Sequence, residues 1–186
     1  MHRLRQLILR FLTLYLLVAC CYLAINLLVS HMSASASSYS VQGKPTVSAA
    51  LINSVLADYH SPATGTGQAI YDLGEKYGID PAYALAFFGH ESTFGNYGMA
   101  RVTLSPGNIR ATPGYRQIGG YRAYRSWRDG FEDWYKLICN LYVDKWGLRT
   151  VEQIVPVYAP SSDNNDVSSY ISAVETFVNS WRSGEI

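Results

Sequence analysis

Residues 80–98 read DPAYALAFFGHESTFGNYG, and how this stretch folds decides the rest. Asp80 is a helix cap, and Pro81 suits the first helical position, where its missing N–H costs nothing. Ala84, Phe87, Phe88 and Glu91 then recur at three- and four-residue spacing, which sets them on one side of a helix. Glycines and an aromatic come next, so the helix ends where a loop begins. Glu91 is therefore a carboxyl on an apolar face near a helix C-terminus. Desolvation and the negative end of the helix dipole both raise the pKa of such a group. It keeps its proton near neutrality and can pass it to a leaving oxygen. A solvated last-turn glutamate is the competing reading, and periodicity alone leaves both open.

Outward from this segment the pattern is mainly helical. Leu51, Ile52, Val55, Leu56 and Tyr59 predict one helix, with Thr46 as its cap. Ala69, Ile70, Leu73 and Tyr77 predict a second, stopped by Gly78. Residues 95–125 are rich in Gly, Pro, Arg and Tyr and lack helical period. They predict an irregular lobe with a small hairpin turning at Gly119 and Gly120. Ser126 and Asp129 match a capping box, and Phe131, Trp134, Tyr135, Ile138, Leu141, Tyr142 and Trp146 make one apolar stripe. Thr150 and Gln153 cap a short helix disturbed by Pro156. A last helix carries Tyr170, Val174, Phe177, Val178 and Trp181 on one face.

The N-terminus predicts an address. Arg3, Arg5 and Arg10 precede an uncharged apolar run over 11–29, about long enough to span a bilayer core. Basic residues on that side orient the body of the chain outward. Residues 1–32 read as a signal anchor; cleavage after Ala34–Ala36 and a lipobox-like LVAC at 17–20 are the alternatives. All three put the body, residues 46–186, outside the cytoplasm, tethered by the Ser/Ala/Gly-rich stretch 33–45.

Composition excludes several classes. A formal net charge of +1 in 186 residues gives no basic footprint for nucleic acid. The three cysteines, Cys20, Cys21 and Cys139, build neither a disulfide framework nor a metal-ligand spacing. The His90–Glu91 pair begins like a zincin, but Phe94 stands where the second histidine belongs. Ser92 follows no strand and lies in no G-x-S-x-G, so no serine triad is supported. Between Glu91 and Asp129 no carboxylate occurs, while Arg101, Arg110, Arg116, Arg122, Arg125 and Arg128 do. With the nearby tyrosines this predicts a cleft for a polar, partly anionic polymer.

In that order, GIDPAYALAFFGHESTFGNYGMA, SPGNIRAT, YRSWRDGFEDWYKLI and YAPSSDNNDVSSYISAVETFVNSWR resemble the glucosaminidase domains of bacterial peptidoglycan hydrolases. The resemblance covers about residues 66–182 and implies a lysozyme-like, two-lobed, α-rich fold. It implies cleavage after N-acetylglucosamine in the β-1,4-linked wall glycan, with no cofactor or metal, by a monomer. Glu91 matches the family's catalytic acid, Asn108 the asparagine of its N-[LIF]-x-[GA] stretch, and Tyr158 an aromatic near the cleaved bond. Ser92, Phe94, Tyr97, Ile109 and Tyr124 are candidate substrate-binding residues by the same likeness. For a second carboxylate, Asp129, Glu132, Asp133 and Asp163 are available. Asp129 reads as a cap and Glu132 and Asp133 as a polar helix face, which leaves Asp163. Otherwise the sugar's own acetamido group serves, with Glu91 alone. A lytic transglycosylase, with one glutamate as acid then base, and a silent wall-binding scaffold are the other readings.

Overall fold

The structure, a computed structural model, describes residues 18–23, 26 and 39–186. The expected N-terminal span over 11–29 falls largely outside the described residues, among which no helix is long and apolar enough to cross a membrane. In order, residues 39–186 form α1 (Ala49–Asp58), α2 (Gly67–Tyr77), α3 (Pro81–Ser92), α4 (Ala100–Thr103), β1 (Gln117–Ile118), β2 (Tyr121–Arg122) and α5 (Trp127–Lys136). A π-helical stretch Leu137–Lys145, α6 (Val151–Tyr158), a 3-10 turn Ser161–Asp163 and α7 (Val167–Arg182) complete it. The domain is thus mainly α, with one two-stranded antiparallel sheet pairing Gln117 with Arg122 and Ile118 with Tyr121. Gly119 and Gly120 both take positive φ, 57° and 85°, as the tight turn requires.

The stretch around Glu91 is the centre of the molecule. α3 packs against α2, α5 and α7. The apolar run of the sequence is buried there, with Ala82 through Phe88 all at most 1% exposed. A helix buried all round is what near-continuous Ala and Phe produces when neighbours cover every side. Phe87 alone packs on Trp134, Tyr158 and Tyr170, with ring centroids 5.3, 5.3 and 5.5 Å away. Truncating such a ring to alanine costs about 3–5 kcal/mol.

Asp80 fixes the start of α3. Its carboxylate accepts from Ala82 N as cap, from Thr46 N and Oγ1, and from Arg182 Nη2 at 2.9 Å near the end of α7. Thr46 is consequently not the cap of α1; Ser48 is, accepting from Leu51 N at 3.1 Å. Residues 39–45, expected as part of the tether, belong to the folded body. From Tyr39 on the chain is pinned, with Ser40 bridging Thr150, Gln42 bridging Ile79, and Val41 1% exposed. Tyr39 and Val41, two large apolar side chains in a polar stretch, are the sign of it in the sequence.

The expected long helix after Ser126 forms but widens at Leu137 into π turns, with Trp146 N donating to Leu141 O. Ser126 Oγ accepts from Asp129 N as expected of a cap. The capping box proper lies at Thr150 and Gln153.

Candidate active site

The last turn of α3 sends two consecutive side chains to different work. Ser92 is 3% exposed; its hydroxyl donates to Pro106 O at 2.8 Å and accepts from Gly95 N at 2.9 Å. It ties the 105–108 turn to the helix end and presents nothing to a ligand, which corrects the substrate-binding expectation. That tie delivers Asn108, held at φ 48°, to the side of Glu91. Asn108 Nδ2 donates to the Glu91 carbonyl at 2.8 Å and to its Oε2 at 3.3 Å. From α7, Tyr170 donates its hydroxyl to Glu91 Oε1 at 2.8 Å. The carboxyl is therefore gripped on both oxygens.

Glu91 is half-buried, and burial raises its pKa, opposed by the Tyr170 and Asn108 hydrogen bonds and by the Arg110 charge. Burial wins because both hydrogen-bond donors are neutral and Arg110 acts at a distance. His90, on the same turn, lays its ring on Tyr170 with centroids 3.7 Å apart; burial lowers its pKa.

Glu91 opens into a cleft of about 240 Å³ lined by Glu91, Asn108, Arg110, Tyr121, Tyr158, Ala159, Asp163 and Asn165. Tyr158, at the end of α6, donates its hydroxyl to the carbonyl of Gly107. A side chain at Gly107 would come within 2.6 Å of Trp134 and 2.9 Å of that hydroxyl, so this wall closes only on glycine. Tyr158 thus lines the cleft with its ring while its polar end is spent on the facing wall. Asp163 lines the same cleft and pairs with Arg110 at 2.8 Å.

Of the expected residues, then, the fold brings together Glu91, Asn108, Tyr158 and Asp163. It does not bring Ser92, Phe94, Tyr97, Ile109 or Tyr124 to the cleft lining. Phe94 and Ile109 are core, 1% and 5% exposed. Tyr97 stands in solvent, 69% exposed, and is not among the lining residues. Tyr124 gives its hydroxyl to Asp133 Oδ2 at 2.5 Å, and burial together with that carboxylate raises its pKa. Asp133, expected on a polar helix face, is 8% exposed and paired with Arg122 at 2.7 Å. Glu132 accepts from Lys76 at 2.6 Å and Tyr77 at 2.8 Å, which hold its pKa at about 2. Neither helix carboxylate faces the cleft. Of the six arginines only Arg110 lines it. Among the described residues no cluster of His, Cys, Asp and Glu could hold a metal ion.

Sequence reasoning misses Tyr170, Tyr121 and Asn165. Tyr170 reads as one more apolar position of α7; its hydroxyl, which a buried tyrosine must satisfy, is the available signal.

The fold is shared with a bacterial wall enzyme. The chain superposes on the crystal structure of Staphylococcus aureus autolysin E in complex with a muropeptide, NAM-L-Ala-D-iGlu, with a TM-score of 0.55 at 12% identity. It superposes equally on a catalytic mutant of autolysin E, a glutamate-to-alanine change, in complex with the disaccharide NAG-NAM, with a TM-score of 0.56 at 13% identity. Each match covers 78% of this chain and 72% of the other. No family model matches the sequence, and no curated protein does. At this identity the likeness is one of fold.

Proposed function

We propose that this protein is a peptidoglycan hydrolase that cleaves the β-1,4 bond after N-acetylglucosamine, with Glu91 as general acid. The observation that carries the reading is the half-buried Glu91 carboxyl, raised in pKa by burial and gripped by Tyr170 and Asn108, at the wall of an open polar cleft. Both grips are donors. The carboxyl thus meets the Tyr170 hydroxyl and the Asn108 amide on the protein side and the cleft on the other. The autolysin E fold, crystallised with wall fragments, supports the choice of glycan.

In this proposal Glu91 protonates the glycosidic oxygen as the C1–O bond breaks, and the aglycone departs as an alcohol. Positive charge develops at C1 and the ring oxygen. The carboxylate left on Glu91 then takes a proton from water as the water oxygen bonds to C1. Asp163 is the one other carboxylate lining the cleft, so it is the candidate to orient that water or the developing cation. Its engagement by Arg110 favours a second reading on the same fold. There Glu91 works alone, deprotonates a sugar hydroxyl, and leaves 1,6-anhydro-muramyl ends. Residues 1–32 would hold the domain, as a monomer, at the outer face of the cell membrane.

Mass spectrometry of digested peptidoglycan tests the proposal. Reducing N-acetylglucosamine ends are expected. Anhydro-muramyl ends would transfer the assignment to a transglycosylase, and absence of any cleavage would leave a wall-binding scaffold.

A further inference from the structure

Arg110 and Asp163 face each other across the cleft from different elements. Arg110 follows Asn108 on the hairpin side, where its backbone bridges Tyr121. Asp163 closes the 3-10 turn that follows α6 and Tyr158. Their one contact, Nη2 to Oδ2 at 2.8 Å, therefore straps the cleft beside Glu91. The Arg110 side chain is 74% exposed and that of Asp163 40%. A pair so exposed is cheap to break, because water re-solvates both groups.

A second arginine of the same segment shows what a structural pair looks like. Arg122 is 11% exposed, meets Asp133 through Nη1, and gives Nε and Nη2 to Thr112 while stacking on Tyr115 at 3.8 Å. All three of its nitrogens are spent. Among the described residues Arg110 makes a single side-chain hydrogen bond, to Asp163. Its guanidinium keeps donors in reserve, in the planar fork that matches a carboxylate. It is also the only cation among the residues lining the cleft.

We propose that Arg110 is a carboxylate-recognition residue: it exchanges Asp163 for a carboxylate carried by the glycan, so that the cleft selects anionic strands over neutral β-1,4-linked N-acetylglucosamine polymers. This rests on the glycan reading above. Wall glycan offers that chemistry from two sources, the free lactyl group of a peptide-stripped muramyl residue and the carboxylates of a stem peptide. Asp163 then acts as a competitor. It keeps Arg110 neutralised in the empty cleft and rejects strands that bring no anion to replace it. The influence of Arg110 on the Glu91 proton agrees with a position close to the reacting bond.

Calorimetric binding tests this in the full chain carrying Glu91→Gln, so that nothing is cleaved. The probes are a neutral N-acetylglucosamine oligomer, a peptide-free wall glycan fragment with free lactyl groups, and a fragment of equal length bearing stem peptides. Adding Arg110→Gln weakens at least one carboxylate-bearing probe roughly tenfold, and the neutral oligomer far less. Adding Asp163→Asn has the opposite sign and tightens the same probe about two- to fivefold, by freeing Arg110. Which of the two anionic probes responds identifies the source of the carboxylate. Equal weakening of neutral and anionic probes by Arg110→Gln, or weakening by both substitutions alike, makes the pair a structural strap and overturns the proposal. No binding of any probe by the Glu91→Gln parent removes the glycan reading, and this inference with it.

Discussion

The two walls of the cleft are built on different principles. One is helical: Glu91 on α3, Tyr158 on α6 and Tyr170 on α7 stand on elements whose inner faces are fully buried. The other, residues 104–122, is a succession of turns with positive φ at Leu104, Asn108, Gly119 and Gly120. The helical wall holds a proton in a fixed place, which needs rigid neighbours and a desolvated carboxyl. The turn wall supplies amide and guanidinium donors that reach across, and it is fastened only at chosen points. Ser92 fastens one end and the Arg122–Asp133 pair the other. On the proposed function the chemistry would sit on the packed side and selection on the looped side, an arrangement that lets either change with little effect on the other.

The largest effect should come from the helical wall. Glu91→Gln lowers turnover on peptidoglycan by roughly a hundredfold to ten-thousandfold, the usual share of a general acid. Zymogram clearing and product release both report it. The same substitution should not destabilise the fold at neutral pH. Because burial raises the folded pKa of Glu91, its stabilising contribution is present below the unfolded carboxyl pKa and is lost as pH rises through the folded value. Burial disfavours the charged form, so the thermal midpoint of Glu91→Gln is expected at or above that of the wild type, the more so as pH rises. A large drop would make Glu91 a structural residue.

Next in size is the fastening of the turn wall. Asp133→Ala strands Arg122 and the Tyr124 hydroxyl in a nearly buried site. It is expected to cost about 3 kcal/mol in urea unfolding, since breaking a buried pair leaves an uncompensated charge. A cost below about 0.5 kcal/mol would put this pair in the class of exposed ones.

The grip on the proton comes third. Tyr170→Phe removes a donor that favours the Glu91 carboxylate, so the Glu91 pKa rises further and the alkaline limb of the pH–rate profile moves to higher pH. Turnover at the optimum falls roughly tenfold with KM little changed, since one hydrogen bond to a charged group is lost. An unmoved limb would reduce Tyr170 to packing. The smallest effect is Arg110→Gln on stability, expected within about 0.5 kcal/mol. Comparison of Arg110→Gln with Asp133→Ala sharpens the contrast between a pair that selects and a pair that supports.

The two walls are also unequally legible in the sequence. The helices can be read because Ile52, Val55, Leu73, Phe87 and Val174 recur with the helical period, and because Asp80–Pro81 marks a start. The hairpin can be read from Gly119–Gly120. Glu91 is legible as a carboxyl that closes an apolar run, Asn108 and Tyr158 through resemblance, and Asp163 by elimination among the carboxylates. The hidden features depend on contacts distant in sequence. Asp133 looks like a solvated helix residue until Arg122, eleven positions earlier, folds back on it. Tyr170 occupies a position whose period says core and Ser92 one whose likeness says ligand contact, and only the partner of each hydroxyl reveals what it does. Phe94, three residues after Glu91, is misplaced as a ligand contact because likeness of sequence does not fix which way a side chain leaves a helix end at φ 57°.

The proposed role of Glu91 as general acid turns on its proton, and carboxyl-carbon NMR titration of the labelled chain measures it directly, with Glu91→Gln identifying the signal. The expected result is a Glu91 pKa clearly above the ordinary glutamate value of about 4.3, coincident with the alkaline limb of the pH–rate profile on peptidoglycan. A Glu91 titrating at or below that ordinary value, with activity unaffected as it ionises, would contradict the role of general acid.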